Sequence, residues 1–186
     1  MLVSFAVRIS PKEDIMTDPI AIIENEQMEF LKLCTALETI ADALPSNIDL
    51  HQVNIAALFL RNSFPDLLSV QEALLFAPLR QRTIAGDECE AILSQIEREH
   101  EADRELAVEV ADALSEVNNR GFAANPEMLG YLLRCFFEGQ RRHAAWERLT
   151  VYPLCRLRLT AADLAGITQK FAGKSRFVFP VTGQGV

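Results

Sequence analysis

The 186-residue sequence predicts an all-α domain, an up-down-up-down four-helix bundle with a short extra C-terminal helix. Three observations carry this. Apolar residues recur at alternating spacings of three and four through four long segments, the period of a helix with one buried stripe. Each segment opens on a capping side chain or on a proline at the first helical position. The links between segments are short, which favours antiparallel neighbours.

The first helix starts at Thr17-Asp18-Pro19, and its seam runs Ile23, Gln27, Phe30, Cys34, Leu37, Ala41, Leu44 before Pro45-Ser46-Asn47 ends it. The second starts near Asp49, with Gln52 at capping spacing, and carries Val53, Ala57, Leu60, Phe64, Leu67, Gln71 and Leu74. Pro65 and Pro78 should kink or break it. The third opens at Asp87 with Glu90 three residues on. Its seam reads Cys89, Leu93, Ile96, His100, Asp103, Ala107, Val110, Leu114, Val117, up to the stop at Asn118-Asn119-Arg120-Gly121. The fourth starts at Asn125-Pro126-Glu127 and is expected to bend at Pro153. A fifth, short helix follows from Thr160, with Asp163 at capping-box spacing, to about Ala172.

The expected organisation is an N-terminal extension over residues 1–16, one bundle over 17–172 and a tail over 173–186. Leu2–Ile9 and Arg176–Phe179 are short, apolar and partly alternating, so each reads as an edge strand or an irregular arm. Met16 directly precedes the first cap, which suggests that residues 1–15 lie outside the fold.

A net charge of −8 and a pI near 4.9 argue against a nucleic-acid or anionic-membrane partner. Cys34, Cys89, Cys135 and Cys155 are widely spaced within helical patterns and form no C-x-x-C pair, so reduced thiols in a cytoplasmic protein are expected. No stretch reads as a signal peptide or a membrane span. Self-association stays open, because each helix shows only one clear seam.

All four seams are interrupted by polar residues near mid-length: Gln27; Gln71; His100 with Asp103; and Gln140 with His143 and Glu147. Folding back on one another, the helices should bring these groups to one depth, as in a metal site built in a bundle core. His143-Ala144-Ala145-Trp146-Glu147 puts an imidazole and a carboxylate one turn apart on the same face. His51 lies at the start of the second helix, away from that level, and receives no role. Trp146 reads as core, and Glu97, Glu99, Glu101 and Glu105 read as a solvated face. No phosphate loop or nucleophile arrangement supports hydrolase or transferase chemistry.

The run from His143 to Leu154, with Arg158-Leu-Thr-Ala-Ala-Asp163-Leu after it, resembles the last helix of hemerythrin-like (HHE cation-binding) domains. Asp18-Pro19, Phe64-Pro65 leading to Gln71-Glu72, and Glu97-Arg98-Glu99-His100 with Asp103 extend the resemblance over about residues 17–168. It implies a diiron site on the bundle axis, and laid onto this chain that site is incomplete. The helix-one histidine position holds Gln27, the helix-two pair holds Leu67 and Gln71, and the second helix-three ligand position holds Arg104. His100, His143 and Glu147 survive, with Glu72 and Asp103 as accessory carboxylates. Glu72 sits about 100° around the helix from Gln71 and needs a local rotation to reach the axis. Arg104 is free to pair with Glu147 or Asp103.

Three functions follow, in order. The first is a binding or regulatory protein whose diiron centre is largely lost and which needs no cofactor. The second is a protein that binds one iron or other divalent cation and serves oxygen, nitric oxide or iron sensing. An oxidoreductase comes last.

Overall fold

The computed structural model describes residues 18–171 and Phe179. The expected N-terminal extension, almost all of the tail and both candidate edge strands lie outside the described residues, save that Phe179 packs its ring edge-on to Phe59 in the core. Among the described residues every regular element is helical: α1 (Pro19–Asp42), α2 (Leu50–Asn62), α3 (Phe64–Gln71), a π-helical turn (Glu72–Phe76), α4 (Ala77–Arg82), α5 (Cys89–Arg120), α6 (Pro126–Arg158) and α7 (Ala161–Phe171).

Most of the expected caps form. Asp18 Oδ1 accepts from the Ile20 amide, Asp49 Oδ1 from the His51 and Gln52 amides, and Asn125 Oδ1 from the Met128 amide. Thr160 and Asp163 close a reciprocal capping box ahead of α7. Gly121, at φ 79°, stops α5 in the left-handed conformation that a glycine adopts without Cβ strain. The start of α5 departs from expectation. Glu88, at φ 50°, precedes the helix, while Asp87 accepts from the Ile84 amide and pairs with Arg158 instead of capping.

The second bundle helix is a composite. It breaks at Ser63, with Pro65 in the first turn of the next piece, and widens into the π turn just ahead of Pro78. No break occurs at Pro153: α6 continues through it to Arg158.

Helices α1 and α6 pack along one side of the bundle, and α2 and α5 along the other. The core has two apolar layers. One holds Phe30, Phe64, Leu68, Ala107 and Phe136; the other holds Ile23, Leu75, Leu93, Ile96 and Val151. In each bundle helix the polar seam residues fall between the two, so Gln71, His100, Gln140, His143 and Glu147 are all buried at one depth. Among the described residues no helix is long and apolar enough to cross a membrane.

Candidate metal centre

The polar layer gathers around Glu147, which is fully buried. Its Oε1 stands 3.5 Å from His143 Nε2 and 3.8 Å from His100 Nε2. The donor atoms of these three residues all lie within 4.8 Å of one another. The structure thus brings together the three residues that the sequence reading named as candidate ligands.

Each histidine is anchored from behind. His100 Nδ1 lies 2.6 Å from Glu72 Oε1, and His143 Nδ1 lies 3.0 Å from Glu99 Oε2. A carboxylate only accepts, so both Nδ1 atoms carry the proton, and in the neutral ring Nε2 keeps its lone pair. Both Nε2 atoms are buried and have no hydrogen-bond partner among the described residues. Imidazoles held by carboxylates on one nitrogen and open on the other are the usual arrangement of histidine metal ligands.

Glu72 reaches His100 because the backbone makes the rotation that a regular helix withholds. The π turn begins at Glu72, and its wider winding lets consecutive residues Gln71 and Glu72 both face the polar layer. Arg104, expected near Glu147 or Asp103, pairs instead with Glu72 at 2.8 Å and with Glu101 at 3.5 Å. Its guanidinium thereby shares with His100 Nδ1 the same Glu72 oxygen. Glu72 is held below the usual carboxylate range: burial pushes its pKa up, but hydrogen bonds from His100 and Arg104 outweigh that.

The remaining expected positions also converge. Gln27 and Gln71 donate to the two oxygens of Glu147, Gln71 at 2.6 Å and Gln27 at short range, and Gln71 also reaches the hydroxyl of buried Tyr152 at 3.3 Å. Gln27, Leu67 and Gln71, which stand at three of the expected ligand positions, line one cavity of about 30 Å³ beside Glu147. Asp103 sits 3.9 Å from His143 Nδ1, on the far side of the ring from Glu147. Burial raises its pKa against the pull of neighbouring Gln140 and the histidines. For His143, burial opposes the charged form, yet Glu147, Asp103 and Glu99 together raise its pKa.

Three participants escaped the sequence reading. Glu99 looked like part of a solvated face, and only the packing of α5 on α6 puts it against His143. Tyr152 and Glu26 line the cavity as well, and Glu26 lies one position off the seam of α1. Neither has a spacing signal that separates it from core or surface.

The hemerythrin HHE cation binding domain model matches residues 18–155, spanning α1 to the last turn of α6. The chain belongs to this family. No curated protein and no solved structure matches it. For a hemerythrin-like domain, the donors present suit one cation. Donors at about 2.0–2.2 Å from a tetrahedral centre stand about 3.3–3.6 Å apart, so the two spacings to Glu147, 3.5 and 3.8 Å, are close to that range, while the three donors together lie within 4.8 Å and must draw in to share one cation. On the other side of Glu147, Gln27, Leu67 and Gln71 contribute two amides and an aliphatic side chain to the cavity, which do not make a second set of anionic or imidazole donors.

Proposed function

We propose that this hemerythrin-like bundle is a binding protein that holds a single divalent cation, iron by family resemblance, between His100, His143 and Glu147. The observation that carries the reading is the pair of buried Nε2 atoms without partners, each presented by a carboxylate on the opposite nitrogen. Charge agrees with it. Glu72, Glu99, Asp103 and Glu147 surround the histidines, and among the described residues Arg104 is the one guanidinium paired within this group. A cation offsets part of that negative charge, and most of all that of Glu147, the one of these four carboxylates that is fully buried.

The chain's own residues hold and orient. Glu72 and Glu99 set the tautomers, and Gln71 and Gln27 steer the carboxylate of Glu147. A bound cation would supply a Lewis-acidic centre with positions open to water or a small ligand. Binding or sensing suits this better than oxidoreductase chemistry, because Gln27, Leu67 and Gln71 leave no ligand set for a second metal to share electrons with the first.

A second reading has its own support. The two glutamines already donate to both oxygens of Glu147, so a metal-free binding protein with a hydrogen-bonded polar layer is also self-consistent. Metal analysis of untagged protein, before and after anaerobic iron loading, separates the two. Cation binding calls for close to one equivalent, lost in His143→Ala. Uptake below about a tenth of an equivalent leaves only the metal-free reading.

A further inference from the structure

The sequence shows one clear seam on each helix, but α6 carries a second stripe on the face turned away from the bundle. Among the described residues the four most exposed large apolar side chains all belong to this helix: Leu149 at 78%, Tyr131 at 69%, Leu157 at 67% and Met128 at 61%. Concentrated exposure of this kind marks a surface that meets another molecule. Tyr131, Cys135, Glu138, Arg142, Ala145 and Leu149 are all exposed and recur at spacings of three and four, the period at which one side of a helix packs along another helix.

The stripe reads the same from either end. Tyr131 and Leu149 stand nine residues either side of Gln140, Cys135 and Ala145 five, Glu138 and Arg142 two. Two copies of α6 laid antiparallel across a two-fold axis at Gln140 therefore set Tyr131 against Leu149 and Cys135 against Ala145 at both ends, with Glu138 facing Arg142 twice at the centre. Glu138 and Arg142 are four residues apart on one helix, yet they form no salt bridge with each other or with any other described residue, whereas Arg134 and Arg141 beside them are held by Asp42 and Glu38. The surface is low at this point. A Cβ on Gly139 would meet nothing within 4 Å, so a second helix can approach closely.

We infer that the outer face of α6 is a self-association surface, on which two copies of the chain pack antiparallel about a two-fold axis at Gln140. Mirrored opposite charges between mirrored apolar ends are what such an isologous contact requires, and a partner of another kind would require no mirror relation. The contact from Met128 to Pro153 is about 37 Å long and one helix wide, roughly 450 Å² on each copy. That is the size of a weak, reversible contact, so a Kd of about 1–100 μM is expected. The inference is independent of the cation-binding reading, since His100, His143 and Glu147 are all buried and none lies on this face.

Sedimentation velocity on the full chain at about 0.15 M salt, from about 2 to 200 μM, reads the association. The wild-type chain should shift from monomer to dimer across that range. Glu138→Arg and Arg142→Glu each turn two attractive contacts per dimer into two repulsive ones, and each should weaken self-association by at least about tenfold. Mixed in equal amounts, the two variants should recover a dimer, because each copy then offers the charge that the other lacks. Both positions are exposed, so the fold should be retained, as circular dichroism checks. Register has its own readout. Ala145→Cys places a thiol opposite Cys135 of the other copy, and diamide, which takes up the two thiol hydrogens as the disulfide forms, should join the copies of this variant. In the wild type the two Cys135 thiols lie ten residues apart along the paired helices, about 15 Å, and should stay unjoined. A wild-type chain that stays monomeric throughout, charge reversals without effect, a mixture that stays monomeric, or diamide cross-linking of the wild type would each overturn the inference.

Discussion

Glu72→Gln probes the orientation of His100 most directly. The side chain leaves the π turn, accepts from His100 Nδ1 at 2.6 Å and from Arg104 at 2.8 Å, and is itself about a quarter exposed. Glutamine keeps an acceptor oxygen but loses the charge. A charge-assisted hydrogen bond is roughly twice as strong as a neutral one, so the fully buried His100 loses about 1 kcal/mol of support. The Arg104 pair is partly solvated and adds about 0–1 kcal/mol. Destabilisation of about 1–2 kcal/mol follows, read as a lower urea midpoint in the presence of a chelator. The effect on the cation is larger in proportion. Removing the carboxylate behind a ligating histidine typically costs about 10–100-fold in affinity, or about 1.4–2.7 kcal/mol. Equilibrium titration with Co²⁺ against a competing chelator measures it. Glu101→Gln, which alters only the exposed partner of Arg104, is the control and should bind like wild type. The acid limb offers a further check. Because the Glu72 pKa is lowered in the fold, its contribution is present above the ordinary value near about 4.5 and fades as pH falls through the folded value, so the glutamine variant should lose less stability in acid. Co²⁺ affinity within about twofold of wild type in Glu72→Gln would refute the idea that this carboxylate presents His100 to a cation.

Further outcomes follow from the same geometry. The raised pKa of His143 stabilises the metal-free fold fully below its ordinary value near about 6.5, and that contribution is lost as pH rises through the folded value. Urea midpoints of the metal-free protein should therefore fall on going from about pH 6 to 9, and His143→Gln should flatten the decline; parallel profiles would count against the charged ring. Phe64 is fully buried and stacks 5.1 Å from Phe30 and edge-on 5.5 Å from Phe136, so Phe64→Ala should cost about 3–5 kcal/mol in chemical denaturation. A loss under about 1 kcal/mol would mean that this layer collapses around the gap. Combining Gln27→His, Leu67→His, Gln71→Glu and Arg104→Glu should raise anaerobic iron uptake above that of wild type, and unchanged uptake would show that these are not the vacant ligand positions.

The polar layer was legible in the sequence because helical periodicity leaves no freedom there: once four seams are each interrupted near mid-length, antiparallel packing must bring the interruptions to one depth. The family was legible for the same reason, since His143 and Glu147 can share a face only through their spacing. Their partners across the bundle were not. Glu99 and Glu72 both sit off the seams, and each becomes part of the centre through something no spacing encodes: the close approach of α5 to α6, and a π turn that shifts the register of one helix by a fraction of a turn.

The boundary between the two kinds of information falls at single side chains. By itself the sequence determined the helices, most of their caps and the three inward donors, because these depend on local backbone chemistry and a repeat of about 3.6 residues. Only the tertiary structure decided that Arg104 turns to Glu72, that Gln27 and Gln71 converge on Glu147, and that His143 turns Nδ1 to Glu99. Those outcomes depend on distances of a few ångströms between different helices, where hydrogen bonding and burial choose among partners that are equivalent along the chain.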